Sequence, residues 1–235
     1  QALAVMLNEA LQGPCLVIAP TSVCHNWLSE IEKFTPTLTA YNFAVSKREE
    51  ILSRLTAMDV LVCSYTLLQQ EEELLSSRKW QMIVLDEAQA IKNPSTKRFQ
   101  AAVKLEGHFK LALTGTPVEN NLEEIWSLFR FIAPGLLGSR EAFQKRFIIS
   151  VDNEKDKARR NSLKRLIQMF ILRRTKNKVL QELPPRTEQT ILVEMASEEY
   201  AFYEALRRKV LDHIYSLEEE GGKRKIHILA EISRL

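Results

Sequence analysis

Hydrophobic and polar positions divide the chain into two parts with different periodicity. Up to residue 121, short apolar runs at residues 16–19, 60–63, 82–85 and 110–113 alternate with stretches of helical periodicity at 26–34, 47–57, 67–75 and 95–105. Runs that are apolar on both faces are typical of buried parallel strands, and their alternation with helices favours a helix-covered parallel sheet. Each run ends in a hydroxyl-bearing or acidic residue, and ligands bind at the carboxyl ends of such strands. The first part is therefore predicted to be an α/β domain with a polar site at one edge of its sheet.

From residue 122 onward the pattern is mainly helical. It predicts helices at 122–132, 139–147, 157–169, 175–181 and 197–219, and one strand at 187–194. We therefore predict a sheet domain at 1–121 and a mainly helical appendage at 122–235. An apolar stripe at Leu3, Leu7, Ala10 and Leu11 predicts an opening helix without a capping residue before it, and the last helical pattern stops just as abruptly. We expect the chain to be interrupted at both ends.

Composition narrows the class of protein. Hydrophobic residues make up 45% and charged residues 27%, with 7 Gly and 8 Pro, which is typical of a folded globular domain. The three cysteines lack C-x-x-C spacing, so neither a disulfide framework nor a zinc site is predicted and a reducing compartment fits best. The apolar runs are too short to cross a bilayer, which predicts no membrane partner.

Charge is distributed unevenly, although the whole chain carries only +3. The segment 140–178 holds 13 basic and 4 acidic residues, a balance of +9. Such an excess could attract a polyanion such as nucleic acid, but a solvated helix face would look the same. Charge alone leaves both readings open.

The strongest candidate chemistry follows the apolar run at 82–85, where Asp86 and Glu87 are adjacent. A buried strand that ends in two carboxylates is an arrangement used in nucleoside triphosphate hydrolysis. Asp86 would hold Mg²⁺ through its water shell, and Glu87 would orient and deprotonate the attacking water. The alternative is an ordinary helix start, where acidic side chains favourably meet the helix dipole.

Two further motifs carry hydroxyl groups at strand ends. Thr114, Gly115 and Thr116 form a polar turn after the next run, which could bond a neighbouring acid or be an ordinary turn. Hydroxyl groups near the first and second runs could grip the phosphates of a nucleic acid strand, or simply cap loops. These candidates are Pro20, Thr21 and Ser22, followed by Trp27, and then Ser64 and Tyr65.

In this order, the motifs resemble the first RecA-like lobe of the SWI/SNF-type ATPases, a branch of the superfamily-two helicase-like DNA translocases. The resemblance is carried by Ala19-Pro20-Thr21-Ser22, Ser64-Tyr65, Asp86-Glu87-Ala88-Gln89-Ala90-Ile91-Lys92-Asn93 and Leu113-Thr114-Gly115-Thr116-Pro117. It continues through Ala133-Pro134-Gly135, Ile171-Leu172-Arg173-Arg174 and Leu183-Pro184-Pro185-Arg186-Thr187-Glu188.

This resemblance implies a RecA-like lobe, followed by the helical protrusion of the family, in a motor that hydrolyses ATP with Mg²⁺ while tracking along duplex DNA. It implies catalytic roles for Asp86, Glu87 and Gln89, with Gln89 coupling the nucleotide to the turn at Thr114, Gly115 and Thr116. By the same likeness, the residues expected at DNA are Pro20, Thr21, Ser22, Ser64, Tyr65, Lys92, Asn93, Arg173 and Arg174. The two arginines could instead pair with carboxylates inside the protrusion.

Two parts of such a motor are missing from the sequence. No G-x-x-x-x-G-K-[ST] phosphate loop occurs, and the second RecA-like lobe, which supplies transition-state arginines, is expected in the same parent chain. We therefore expect this polypeptide alone to be inactive. An RNA-directed helicase of the same superfamily and a non-catalytic nucleic-acid-binding module remain alternatives. The expected location is the bacterial cytoplasm and nucleoid, or the nucleus in a eukaryote.

Overall fold

The computed structural model describes residues 1–44, 47–115, 122–148, 153–174 and 189–216. Its contacts group residues 1–172 into one compact unit and residues 173–235 into another, and each unit is described by itself. The division into 1–121 and 122–235 stays a prediction.

The first unit is built on a five-stranded parallel sheet. Its strands lie in the order β2-β3-β1-β4-β5, so β1 is central and pairs with both β3 and β4. The predicted parallel sheet is confirmed. The strands are β1 (Cys15–Ala19), β2 (Thr39–Asn42), β3 (Asp59–Ser64), β4 (Lys79–Leu85) and β5 (Glu106–Ala112).

Alternate residues of the inner strands point into two separate hydrophobic cores, one on each face of the sheet. On β1, Leu16 and Ile18 belong to one core, whereas Cys15 and Val17 belong to the other. This is the two-residue period of a strand with both faces covered. It explains why the inner strands read as continuous apolar runs.

Helices cover both faces. One core contains Met6 and Ala10 from the amino end of the chain and Ile31 from the helix that follows β1. The helices between β2 and β5 contribute to the other core. Ser64 and Thr96 cap two of these helices, since their hydroxyl oxygens accept from the amides of Leu67 and Phe99. The helices are α1 (Ala2–Glu9), α2 (Thr21–Phe34), α3 (Arg48–Arg54), α4 (Tyr65–Gln70), α5 (Glu72–Ser76) and α6 (Lys97–Lys104), with 3₁₀ turns at Ala10–Gln12 and Ala88–Ile91.

Residues 122–148 and 153–170 extend the first unit with helices that pack onto it. The first of them carries Trp126 against Phe99 of α6, with ring centroids 6.1 Å apart, and Phe131 under the ammonium of Lys110 on β5. Ser127 is fully buried there and donates to the carbonyl of Lys92 at 2.8 Å. The elements are α7 (Leu122–Ile132), α8 (Arg140–Phe143), a π-helical turn (Gln144–Ile148), α9 (Asn153–Ile167) and a 3₁₀ turn (Gln168–Phe170).

Among the described residues of the second unit, the regular structure is one long helix, α10 (Ser197–Ser216). The strand predicted at 187–194 is wrong where the structure describes it, because residues 189–194 have no regular structure and are exposed. An alternating pattern makes a strand only where another strand supplies its hydrogen bonds. The helix predicted at 175–181 and the last three residues of the one at 197–219 lie outside the described residues.

Three other expectations need correction. The predicted apolar stripe is only partly the buried face at the amino end, since Ala10 is buried and Leu3 packs against the core, whereas Leu7 and Leu11 are exposed and Met6 is buried instead. The strand β2 was missed, because it is a four-residue edge strand of mixed polarity. The run at 110–113 is only half-buried, because β5 is the other edge of the sheet.

Candidate functional site

The register of the parallel strands brings their carboxyl ends together on one side of the sheet. Ile18 of β1 lies beside Leu85 of β4, and Leu85 lies beside Ala112 of β5. The next residues continue this pairing, since the Asp86 amide donates to the Ile18 carbonyl and the Ala88 amide donates to the Leu113 carbonyl, both at 2.8 Å. The acidic pair and the threonine turn therefore lie next to each other, as the sequence predicted.

Asp86 is half-buried at the end of β4, and both of its carboxylate oxygens accept hydrogen bonds. The Trp27 indole Nε1 donates to Oδ2 at 2.8 Å, and the Glu87 amide donates to Oδ1 at 2.9 Å. The Tyr65 hydroxyl donates to the Asp86 main-chain carbonyl at 2.9 Å. The side chain of Asp86 is thus held in one orientation.

A chain of hydrogen bonds joins Glu87 to the threonine turn. Gln89 Nε2 donates to Glu87 Oε2 at 2.6 Å, and Thr114 Oγ1 donates to Gln89 Oε1 at 3.0 Å. One amide side chain therefore connects the second carboxylate to the neighbouring strand end. Gly115 follows on the exposed surface, and Thr116 lies outside the described residues.

Ser64 and Tyr65, two of the residues expected at DNA, have buried side chains. Ser64 is 5% exposed and caps α4, while Tyr65 is 3% exposed. Burial, with a smaller contribution from the Asp86 and Glu87 carboxylates, raises the pKa of Tyr65 above its usual value. The Tyr65 hydroxyl therefore stays protonated and serves as a donor to Asp86, while Ser64 fulfils the capping alternative considered from the sequence.

Other candidate residues lie on the surface around the site. Thr21 and Ser22 are exposed in the first turn of α2, which Pro20 precedes. Lys92 and Asn93 are exposed after the 3₁₀ turn, but Lys92 Nζ already lies 3.4 Å from Glu124 Oε1 of α7. Arg173 and Arg174 are exposed and belong to the second unit, so the structure does not assign them to this site.

The residues present fit a magnesium ion bound through water. A carboxylate offers about four lone-pair positions, and the two hydrogen bonds at Asp86 leave the others available. In the part of the chain that the structure describes, no three His, Cys, Asp or Glu residues cluster as a metal site. Magnesium needs no such cluster when water and substrate phosphates supply most of its ligands.

The sequence did not reveal the two donors that hold Asp86. Trp27 was noted only for its place after a strand end and Tyr65 as a DNA-contact candidate, yet both side chains donate to Asp86. A partial signal existed, because parallel pairing of β1 with β3 and β4 brings their following segments to the same edge. Which side chain turns toward Asp86 could not be derived from that pairing.

Comparison with known proteins identifies the family. The sequence matches the family model of the SNF2-related domain across residues 2–235. The chain belongs to the SNF2-related family. This SNF2-related chain is 40% identical over 227 residues to YwqA of Bacillus subtilis, a candidate ATP-dependent helicase/translocase. It is 36% identical over 222 residues to the chromatin-remodeling ATPase INO80 of Cryptococcus neoformans. It is also similar to the Sulfolobus solfataricus SWI2/SNF2 ATPase core in complex with dsDNA, with a TM-score of 0.67 and 37% identity.

These matches cover most of the chain but only part of each relative. The alignments include 94% of the chain and 24% of YwqA, and 86% of the chain and 13% of INO80. The Sulfolobus match covers the whole chain and 48% of that structure. The predicted family and RecA-like fold class are confirmed. Separately, no helix among the described residues is long and apolar enough to cross a membrane.

Proposed function

We propose that this SNF2-related chain is the first lobe of a motor that hydrolyses ATP and moves along duplex DNA. The observation that carries the proposal is the hydrogen-bond chain from Glu87 through Gln89 to Thr114 at the carboxyl edge of the sheet. It places a carboxylate that could activate water in contact with a neighbouring strand end. The ATPase and translocase names of the relatives support the same reaction.

In this proposal Glu87 orients and deprotonates the water that attacks the γ-phosphate. Gln89 holds the Glu87 carboxylate and passes movement of the threonine turn to it. Asp86 would hold Mg²⁺ through water, and the ion would stabilise the negative charge that builds up on the phosphates. Every one of these roles uses a group at the same sheet edge.

Hydrolysis also needs a phosphate loop, which this sequence does not contain. A phosphate-loop lysine and a transition-state arginine belong to the same reaction, and no G-x-x-x-x-G-K-[ST] motif occurs in the 235 residues. We therefore propose that a second RecA-like lobe and a phosphate loop in the longer parent complete the site. The 235-residue polypeptide alone should show no measurable ATPase activity.

Phosphate contacts with duplex DNA are proposed for the exposed candidates. Thr21 and Ser22 at the start of α2, together with Asn93, can donate to phosphate oxygens, which positions DNA without reading its sequence. Pro20, Lys92, Arg173 and Arg174 remain candidates. Ser64 and Tyr65 would act indirectly, since their side chains are buried. We place the parent in the cytoplasm and nucleoid of a bacterium, or in the nucleus of a eukaryote.

The test is ATPase activity of the full-length protein with Glu87→Gln. The variant keeps the shape of the side chain but removes the base, so we expect near-complete loss of DNA-stimulated activity. Glu73→Gln, at an exposed position of α5, is the matched control and should keep full activity. Unchanged activity of Glu87→Gln would favour a non-catalytic binding module. Stronger stimulation by RNA than by duplex DNA would favour an RNA-directed helicase.

Salt dependence tests the basic segment 140–178 separately. If its side chains contact phosphates, DNA affinity of the full-length protein should fall steeply with ionic strength because counterions are released on binding. The slope of log affinity against log salt should become shallower when four basic residues of α9 are neutralised. An unchanged slope would identify that helix as a solvated face. The four residues are Arg159, Arg160, Lys164 and Arg165.

A further inference from the structure

Asp86 is held from four directions by hydrogen bonds. Its amide donates to the Ile18 carbonyl, its carbonyl accepts from Tyr65, and its two carboxylate oxygens accept from Trp27 and from the Glu87 amide. The bond to Ile18 joins two main-chain groups and does not depend on the side chain at position 86, whereas the bond from the Glu87 amide requires the Asp86 carboxylate. The other two come from the side chains of Trp27 and Tyr65.

Trp27 is placed to fix the direction of the Asp86 carboxylate. It lies in the second turn of α2, half-buried, and its ring packs against the core that includes Met6, Val17 and Ile31. This packing restricts the indole, so its N–H is aimed at Oδ2 at a distance of 2.8 Å. A hydrogen bond to an ionised oxygen is among the stronger kinds in proteins.

Tyr65 fixes the backbone of the same residue. It is the first residue of α4, and its ring is almost completely buried in the opposite core. Its hydroxyl reaches the Asp86 carbonyl at 2.9 Å. The two aromatic residues therefore approach Asp86 from two different faces of the sheet and hold two different groups of it.

We propose that Trp27 and Tyr65 are positioning residues for Asp86, which fix its carboxylate and its backbone so that the remaining lone pairs receive a water-bound divalent cation. The inference rests on the proposed function, in which Asp86 faces the metal. Groups that orient a metal-binding carboxylate without touching the metal typically change affinity or activity 10- to 100-fold when they are lost.

The experiment compares variants of the full-length protein that lose one donor each. Trp27→Phe removes the indole N–H, and 3-benzothienylalanine in place of Trp27 removes it while keeping the fused-ring shape. Tyr65→Phe removes only the hydroxyl. Trp126→Phe is the control, because the Trp126 indole also donates, at 3.1 Å, but to the Gly138 carbonyl and not to Asp86.

The main readout is Mn²⁺ affinity, measured by electron paramagnetic resonance with a non-hydrolysable ATP analogue. We expect affinity to fall roughly 10- to 100-fold for both Trp27 variants and roughly 2- to 10-fold for Tyr65→Phe, which loses a neutral bond. The Mg²⁺ concentration for half-maximal ATPase should rise in parallel. Thermal unfolding confirms that each variant is folded.

Several outcomes would overturn the inference. Folded Trp27 and Tyr65 variants with unchanged Mn²⁺ affinity would do so, and so would an equal loss in Trp126→Phe. If Trp27→Phe does not fold, the benzothienylalanine variant and Tyr65→Phe decide. Active Glu87→Gln protein would refute the proposed function instead. Inactive Glu87→Gln protein beside unchanged metal affinity would refute only the positioning role.

Discussion

A double-mutant cycle on Gln89 and Thr114 would measure whether the amide of Gln89 transmits the state of the threonine turn. Gln89→Leu removes both of its side-chain bonds at nearly constant volume, and Thr114→Val removes the hydroxyl that donates to Gln89 Oε1. The comparison needs the two single variants, the double variant and the parent. Other contacts of Thr114 cancel in the cycle, because they are lost equally in both backgrounds.

The expected magnitudes follow from the types of bond. The bond from Gln89 to the Glu87 carboxylate is worth about 1.5–3 kcal/mol, and the neutral bond from Thr114 about 0.5–1.5 kcal/mol. If both bonds hold the catalytic geometry, kcat should fall roughly 10- to 150-fold for Gln89→Leu and roughly 2- to 10-fold for Thr114→Val. Thr114→Val should therefore slow the Gln89→Leu variant less than it slows the parent, by a coupling energy of about 0.5–1.5 kcal/mol.

The assay is steady-state ATP hydrolysis by the full-length protein with saturating duplex DNA. Thr39→Val serves as a control, since Thr39 lies exposed on the edge strand β2, and its effect should add to that of Gln89→Leu. Effects of Gln89→Leu and Thr114→Val that add within about 0.5 kcal/mol would refute the relay. Gln89 would then act on Glu87 alone.

Two other predictions concern the scaffold. Gly107→Ala should lower the free energy of unfolding, measured in urea, by about 1–3 kcal/mol. The added Cβ would lie 2.7 Å from Cδ1 of the buried Ile83. Gly115→Ala is the control and should leave the free energy of unfolding unchanged, because its added Cβ meets nothing within 4 Å. Equal stability of the two variants would show that Ile83 moves aside freely. Iodoacetamide at pH 8 should modify the half-buried Cys24 before the buried Cys15, because burial raises the pKa of the Cys15 thiol to about 12. Equal rates of modification, measured by mass spectrometry, would contradict this order.

The sheet was predictable where strands are covered on both sides. β1, β3 and β4 lie inside the sheet, so their apolar runs were visible in the sequence within a few residues. Edge strands carry a weaker signal, because one side of each lacks a neighbour and tolerates polar residues. β2 was therefore missed, and β5 was expected to be more buried than it is.

The candidate site was predictable as a set of strand ends but not as a set of contacts. Parallel topology implies that residues 86 and 114 follow neighbouring strands, and the structure places them there. The bonds of Asp86 to Trp27 and Tyr65 join residues 59 and 21 positions apart. They depend on helix rotation and rotamers, which no local pattern encodes. The burial of Ser127 against the Lys92 carbonyl belongs to the same class.

Glu87 has backbone angles of +48° and +52°, in the left-handed region that glycine adopts without a steric penalty. An ordinary side chain there costs about 1–2 kcal/mol. Conformational preference and carboxylate chemistry therefore compete for one position of the chain. If variants were selected for stability alone, glycine would be favoured at this position. The selected protein would be more stable, but it would lack the Glu87 carboxylate. Thermostable variants of this lobe should be sought at other positions.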